Sequence, residues 1–231
     1  YAVQLIGQTI AFDPQITSQY FKDILVNSKL IPAKNPIMLA KAQKNPAEIK
    51  HAIEVHMKDA VALCEFYGWL TENLDGSVTE YSAQAKLLEF RQQQTGFICP
   101  SFNPICGYKE NGAIIHYNAQ PDSAKKIMAE GILLLDSGGQ YMGATTDVTR
   151  TISLSPPTSE QKKRYTQVLK GHIALMLMQF PMGSKGESID AFARQYLWQD
   201  GKNYAHGTGH GVGSCLSVHE GPQRISPYNS D

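Results

Sequence analysis

The sequence predicts an α+β fold, because a pair of helices, a cluster of strands, a second pair of helices and a final strand-and-loop stretch follow one another without regular strand–helix alternation. Two observations carry this reading. Helix-start signatures stand at Asn45-Pro46-Ala47-Glu48 and at Thr158 with Gln161, and three strand-like runs lie close together between residues 112 and 154.

Residues Gln4 to Phe12 alternate loosely as a strand, Thr17 to Asn27 carries helical spacing, and Pro36 to Leu39 reads as another strand. This opening, residues 1–44, reads as the end of a small preceding α/β domain, too short to bury a core alone. Residues 45–231 form the main domain. In its first helix Asn45 is the N-cap, Pro46 fills the first helical position and Glu48 completes a capping box. Ile49, Ile53, Met57, Ala60, Val61, Cys64 and Tyr67 then recur at helical steps, predicting one buried face through about Leu70. Ser77 with Glu80 predicts the start of a second helix, closed near Gly96.

Gly112 to Tyr117, Gly131 to Ser137 and Thr145 to Leu154 are the three predicted strands, with Gly138, Gly139 and Gly143 turning between the last two. Thr158 with Gln161 opens a helix to about Phe180, and Ser184 with Glu187 opens another that Gly201 ends. From Tyr204 the chain is rich in Gly and His and returns to strand and loop.

Composition narrows the function classes. The 231 residues are 42% hydrophobic and 18% charged, the profile of a chain with a real core. Lys+Arg and Asp+Glu both number 21 and no like-charge run appears, so no nucleic acid or acidic membrane is indicated as a partner. No apolar run is long enough to span a bilayer as a helix. Cys64, Cys99, Cys106 and Cys215 lack CxxC spacing, which favours a reducing, cytoplasmic setting over a disulfide scaffold. The start at Tyr1 suggests an excised or processed piece.

Asp136 and Asp147 each interrupt an apolar or Thr-rich strand, where an isolated buried carboxylate is costly. An antiparallel connection through the glycines would bring them onto one face, where repulsion demands a proton or cations. A divalent metal pair would meet that demand. The structural alternative is that Asp147 pairs with Arg150 and Asp136 caps its own turn; strand alternation places Arg150 on the opposite face from Asp147, against that pairing.

His206-Gly-Thr-Gly-His210-Gly-Val-Gly, followed by His219, is the second signal. Glycines around His210 let the backbone approach a ligand, and neutral imidazole binds transition metals. Two rival motifs fail. Gly207 stands where a metalloprotease helix needs Glu, and the glycine spacing does not match a dinucleotide-binding turn. His116, ending the predicted strand from Gly112, is the remaining polar residue; alone it would be structural.

Taken together, Gly112-Ala-Ile-Ile-His-Tyr, Leu135-Asp-Ser-Gly-Gly-Gln-Tyr, Thr145-Thr-Asp-Val-Thr-Arg-Thr, His206-Gly-Thr-Gly-His-Gly-Val-Gly and Val218-His-Glu-Gly-Pro resemble the pita-bread metallopeptidase family. That family includes methionine aminopeptidase, prolidase and Xaa-Pro aminopeptidase, and the wording is nearest the last. The resemblance implies the pita-bread (creatinase/aminopeptidase) fold, here C-terminally truncated, and two divalent metal ions, manganese first with zinc or cobalt as alternatives. By it Asp136, Asp147 and His210 are metal ligands. His116 and His219 hydrogen-bond the scissile peptide, and His206 lines the proline pocket. The implied substrate is a peptide with proline at the second position, and the implied full-length parent is a homodimer.

The resemblance also implies two glutamate ligands downstream of His219-Glu220-Gly221-Pro222, beyond Asp231, for which Glu220 is no substitute. The expectation is therefore weak metal binding and no turnover by this chain alone. A prolidase and a nonenzymatic protein-binding relative are the alternative readings.

Overall fold

The computed structural model describes residues 7–227. The chain divides into two compact units between Gln43 and Lys44.

In the first unit β1 (Thr9–Phe12) and β2 (Lys29–Pro32) pair in parallel around α1 (Gln19–Ile24). The predicted strand at Pro36 to Leu39 is instead the start of α2 (Pro36–Ala42). The Asn35 side chain accepts the Ile37 amide at 3.0 Å and Pro36 occupies the first turn, a cap that decides a segment too short for periodicity to classify. The segment Gln4 to Ile6 of the first predicted strand lies outside the described residues.

The second unit opens with α3 (Pro46–Glu72), started by the predicted capping box. Asn45 accepts the Ala47 and Glu48 amides, and Glu48 accepts the Asn45 amide at 2.9 Å. Its buried face is not the predicted one: Val55, Asp59, Ala62, Leu63, Phe66 and Leu70 point inward. Ile49, Ile53, Met57 and Val61 are 49–60% exposed. The true face contains Asp59 and therefore looks polar in sequence. Its charge is met by the Arg91 guanidinium, Nε to Oδ1 at 2.8 Å, and by the Tyr141 hydroxyl at 2.8 Å, so burial leaves no uncompensated charge.

After β3 (Asp75–Thr79), α4 (Glu80–Gln92) is capped by Thr79 and Ser82 rather than by Ser77 and Glu80. The Ser77 amide is engaged by Asp75, and Glu80 turns inward. β4 (Phe97–Pro100) and β5 (Ile105–Tyr108) follow. The predicted strand at Gly112 to Tyr117 is a 3-10 turn, Lys109–Ala113, and a loop. Gly107 and Gly112 come so close that a Cβ on Gly107 would lie 2.7 Å from the Gly112 Cα, so the chain folds back where the prediction extends it. Ile114 and Ile115 are left exposed.

β6 (Lys126–Met128) pairs with β3. β7 (Ile132–Ser137), β8 (Gly139–Tyr141), β9 (Ala144–Thr145) and β10 (Val148–Ser153) form one bent antiparallel hairpin, β7 with β10 and β8 with β9. The bend is at Gly138, where a Cβ would meet the Thr146 carbonyl at 1.9 Å. β5 and β4 extend the two halves.

α5 (Ser159–Met176) has the predicted Thr158–Gln161 capping box and ends before Phe180. α6 (Gly186–Trp198) starts after Lys185 rather than Ser184; its first residue packs against the Arg224 backbone, 1.7 Å from where a Cβ would stand. β11 (Gly209–Gly211) and β12 (Glu220–Ile225) pair antiparallel.

The core lies where Leu63, Phe66 and Leu70 of α3 and Leu87 of α4 meet Cys106, Leu133 and Leu135 of the β5–β7 sheet. Each such large side chain contributes about 1.5–3 kcal/mol on burial. Along β7 the alternation sends Leu133, Leu135 and Ser137 inward, which leaves Asp136 on the opposite face. Among the described residues no helix is long and apolar enough to cross a membrane.

Candidate metal and peptide site

Register places Asp136. It faces Thr149 across the β7–β10 pair, and the Thr149 hydroxyl donates to its Oδ1 at 2.7 Å. Asp147 lies between β9 and β10, two residues before Thr149, and is close enough for its charge to act on Asp136. Burial and the Asp147 charge push the Asp136 carboxyl above its ordinary range, against the hydrogen bond from Thr149 and the pull of His210 and His116. Asp147 does not take Arg150 as partner; the Arg150 guanidinium donates to the Thr149 carbonyl.

β11 delivers His210. Its Nδ1 lies 2.8 Å from the Gly211 carbonyl, and its Nε2 lies 3.1 Å from Asp147 Oδ2. A carbonyl oxygen only accepts, so Nδ1 carries the proton in the neutral ring and Nε2 turns a lone pair toward a carboxylate oxygen. Two acceptors in that position require a proton or a cation between them. At 3.1 Å the two atoms are close enough to share either one. The donor set thus fits a cation at Asp147 and His210 with Asp136 alongside. As they stand, however, no three His, Cys, Asp or Glu side chains among the described residues form a group able to hold a metal.

The other predicted site residues are distributed around this pair. His219 packs edge-on against His210, ring centroids 4.4 Å apart. His116 is exposed, with a left-handed φ of 55°, and acts electrostatically on Asp136. His206 packs instead on Tyr204, centroids 4.8 Å apart, with Nδ1 2.8 Å from the Gly207 carbonyl. Glu220, although adjacent to His219, is buried and pairs with Lys44. A recess of about 150 Å³, lined in part by Lys44, Ala52, Thr145, Asp147 and Val212, opens beside Asp147.

Sequence reasoning missed the groups that hold these segments. Buried Glu80 accepts the Tyr108 amide at 2.7 Å, the Asn111 side-chain amide at 3.0 Å, the Tyr117 hydroxyl at 2.7 Å and the Lys125 amide at 2.9 Å, gathering the whole excursion that carries His116. Burial and the Glu80 charge push the Tyr117 phenol up to about 12, so it remains a donor. Arg194 and Asp190 of α6 hold the His206 segment. Their i,i+4 spacing was the available signal, although nothing in sequence marks such a pair as buried.

Residues 48–231 match the model of metallopeptidase family M24. The chain is 48% identical to aminopeptidase P2 of Arabidopsis thaliana over 87% of its own length and 28% of that protein. It is 46% identical to Xaa-Pro aminopeptidase 1 of Dictyostelium discoideum over 95% of its length and 36% of that protein. The crystal structure of X-prolyl aminopeptidase from Caenorhabditis elegans, described as a cytosolic enzyme with a di-nuclear active site, superposes with a TM-score of 0.86 at 36% identity. It covers 94% of this chain and 36% of that one. The chain thus spans about a third of the length of these relatives, shares their pita-bread fold, and belongs to metallopeptidase family M24.

Proposed function

We propose that the chain carries most of the catalytic domain, residues 45–231, of a metal-dependent aminopeptidase that hydrolyses the bond between an N-terminal residue and a following proline, with residues 1–44 ending a preceding noncatalytic α/β domain. The observation that carries the reading is His210 Nε2 standing 3.1 Å from Asp147 Oδ2, beside a second carboxylate, with Nδ1 turned to the Gly211 carbonyl. Family membership and relatives named for Xaa-Pro cleavage support the activity and the substrate class.

Asp136, Asp147 and His210 would hold divalent ions, manganese first and zinc or cobalt as alternatives. Bound there, such ions supply Lewis-acid polarisation of the peptide carbonyl. The Gly211 carbonyl fixes the His210 tautomer, and Thr149 orients Asp136. His116 and His219, both exposed, present N–H donors to the scissile peptide, a role worth about 10²–10³-fold in rate for a well-aimed group. His206 and Tyr204 offer ring surfaces to the proline.

Because the chain spans about a third of its relatives' length, weak metal binding and no turnover are the expectation for it alone. A cytoplasmic homodimer is the setting proposed for the longer protein.

The test is a protein extended to the relatives' length and loaded with Mn²⁺. Cleavage of Xaa-Pro-Xaa tripeptides in preference to Xaa-Pro dipeptides is expected. Preference for the dipeptides would make it a prolidase, and no cleavage of either would favour a protein-binding role.

A further inference from the structure

α6 carries one buried ion pair that the proposed chemistry does not use. Asp190 and Arg194 of α6 are 2% and 1% exposed and pair through Oδ2 and Nε at 2.6 Å. A buried pair of this kind adds little net stability when its own two members are its whole inventory of partners. Here the remaining donors and acceptors are all spent on the segment between Asn203 and Thr208.

Arg194 Nη1 donates to the Tyr204 carbonyl at 2.6 Å and to Asn203 Oδ1 at 2.9 Å, and Nη2 donates to the His206 carbonyl at 2.7 Å. The guanidinium also lies 3.8 Å from the centre of the Tyr204 ring, on which the His206 ring packs. Asp190 Oδ1 accepts the Thr208 hydroxyl at 2.5 Å, and the Tyr204 and Thr208 hydroxyls are 2.6 Å apart. Thr208 donates its amide to the Ile225 carbonyl and begins the run into β11 and His210.

We propose that the Asp190–Arg194 pair is a positioning clamp, which fixes His206 directly and His210 through Thr208. Glycines at 207, 209, 211 and 213 give this segment more backbone freedom than any other residue type would, and freedom here displaces an imidazole whose Nε2 stands 3.1 Å from Asp147 Oδ2. A planar guanidinium with donors in a fixed fork holds two carbonyls two residues apart; an ammonium does not. Arg194 and Asp190 touch no reacting atom and are positioning residues. Their value to catalysis rests on the proposed function, whereas the clamp itself does not.

The experiment uses this chain without metal and compares wild type with Arg194→Lys and Thr208→Val. Thr208→Val leaves the ion pair intact and guards against a variant that simply fails to fold. Amide hydrogen exchange is followed at residues 205–211 and, as reference, in α3 and β7, together with the imidazole NMR signals of His206 and His210. The clamp predicts exchange at least tenfold faster across 205–211 in Arg194→Lys with the reference regions unchanged. It also predicts shifted His206 and His210 signals, and in Thr208→Val a change confined to residues 208–211. Faster exchange spread evenly over the reference regions, or none in the loop while the melting temperature falls, would overturn the clamp and leave the pair a structural one. Adding Mn²⁺ alone reads the other question. If it broadens no histidine signal even in wild type, the metal reading fails while the exchange result still decides the clamp.

Discussion

Asp147 Oδ2 and His210 Nε2 face each other at 3.1 Å while His210 Nδ1 is committed to the Gly211 carbonyl. The two residues are 63 positions apart, one between hairpin strands and the other in a glycine-rich strand. Their meeting depends on the Gly138 bend on one side and on the hold that α6 exerts on the His206 segment on the other. The meeting therefore depends on residues, Gly138 and Arg194 among them, that are not themselves functional side chains of the site.

Asn45→Ala removes an acceptor for two amides at the start of α3 and is expected to cost about 0.5–2 kcal/mol. Ile53→Gln on the exposed face of the same helix is expected to stay within about 0.5 kcal/mol, despite removing an apolar residue. Urea unfolding of the two variants separates the buried face from the apparent one.

Glu80→Ala leaves the Tyr108 and Lys125 amides without their buried acceptor, at about 1–3 kcal/mol for each orphaned donor. Beyond this loss, measured by urea unfolding, amide exchange should accelerate most between Lys109 and Tyr117. The role proposed for His116 predicts, for a protein extended to the relatives' length, a fall in kcat on this substitution.

Asp200 links α5 and α6, since Lys163, Gln167 and Arg164 hold its carboxyl down to about 2. A depressed carboxylate stabilises the fold above its unfolded value of about 3.9 and loses that contribution as pH falls through the folded value. Acid titration is therefore expected to loosen the α5–α6 pair between about pH 4 and pH 2, and Asp200→Asn should flatten this part of the stability profile. Far-UV circular dichroism against pH checks both, with the effect kept small by solvent exposure.

Much of this fold was legible because its signals are local. Capping residues at Asn45 and Thr158 set helix starts, and the glycines around 138 and 143 set a hairpin. The candidate ligands were legible for a related reason: a carboxylate inside an apolar strand and a histidine between glycines are each out of place locally. What escaped was decided by distant partners. α3 presents two stripes, and the one carrying Asp59 won because Arg91 and Tyr141 satisfy the carboxylate. The predicted strand at Gly112 was lost to Glu80, a residue 32 positions earlier whose inward turn no periodicity reveals.

The most direct test of the site is Mn²⁺ titration of this chain, observed through the line widths of its seven histidines. The account predicts that His210 broadens first, with His219 beside it, and that Asp147→Asn raises the Mn²⁺ needed at least tenfold. Broadening spread evenly over all the histidines, or a response at His210 unchanged by Asp147→Asn, would contradict it.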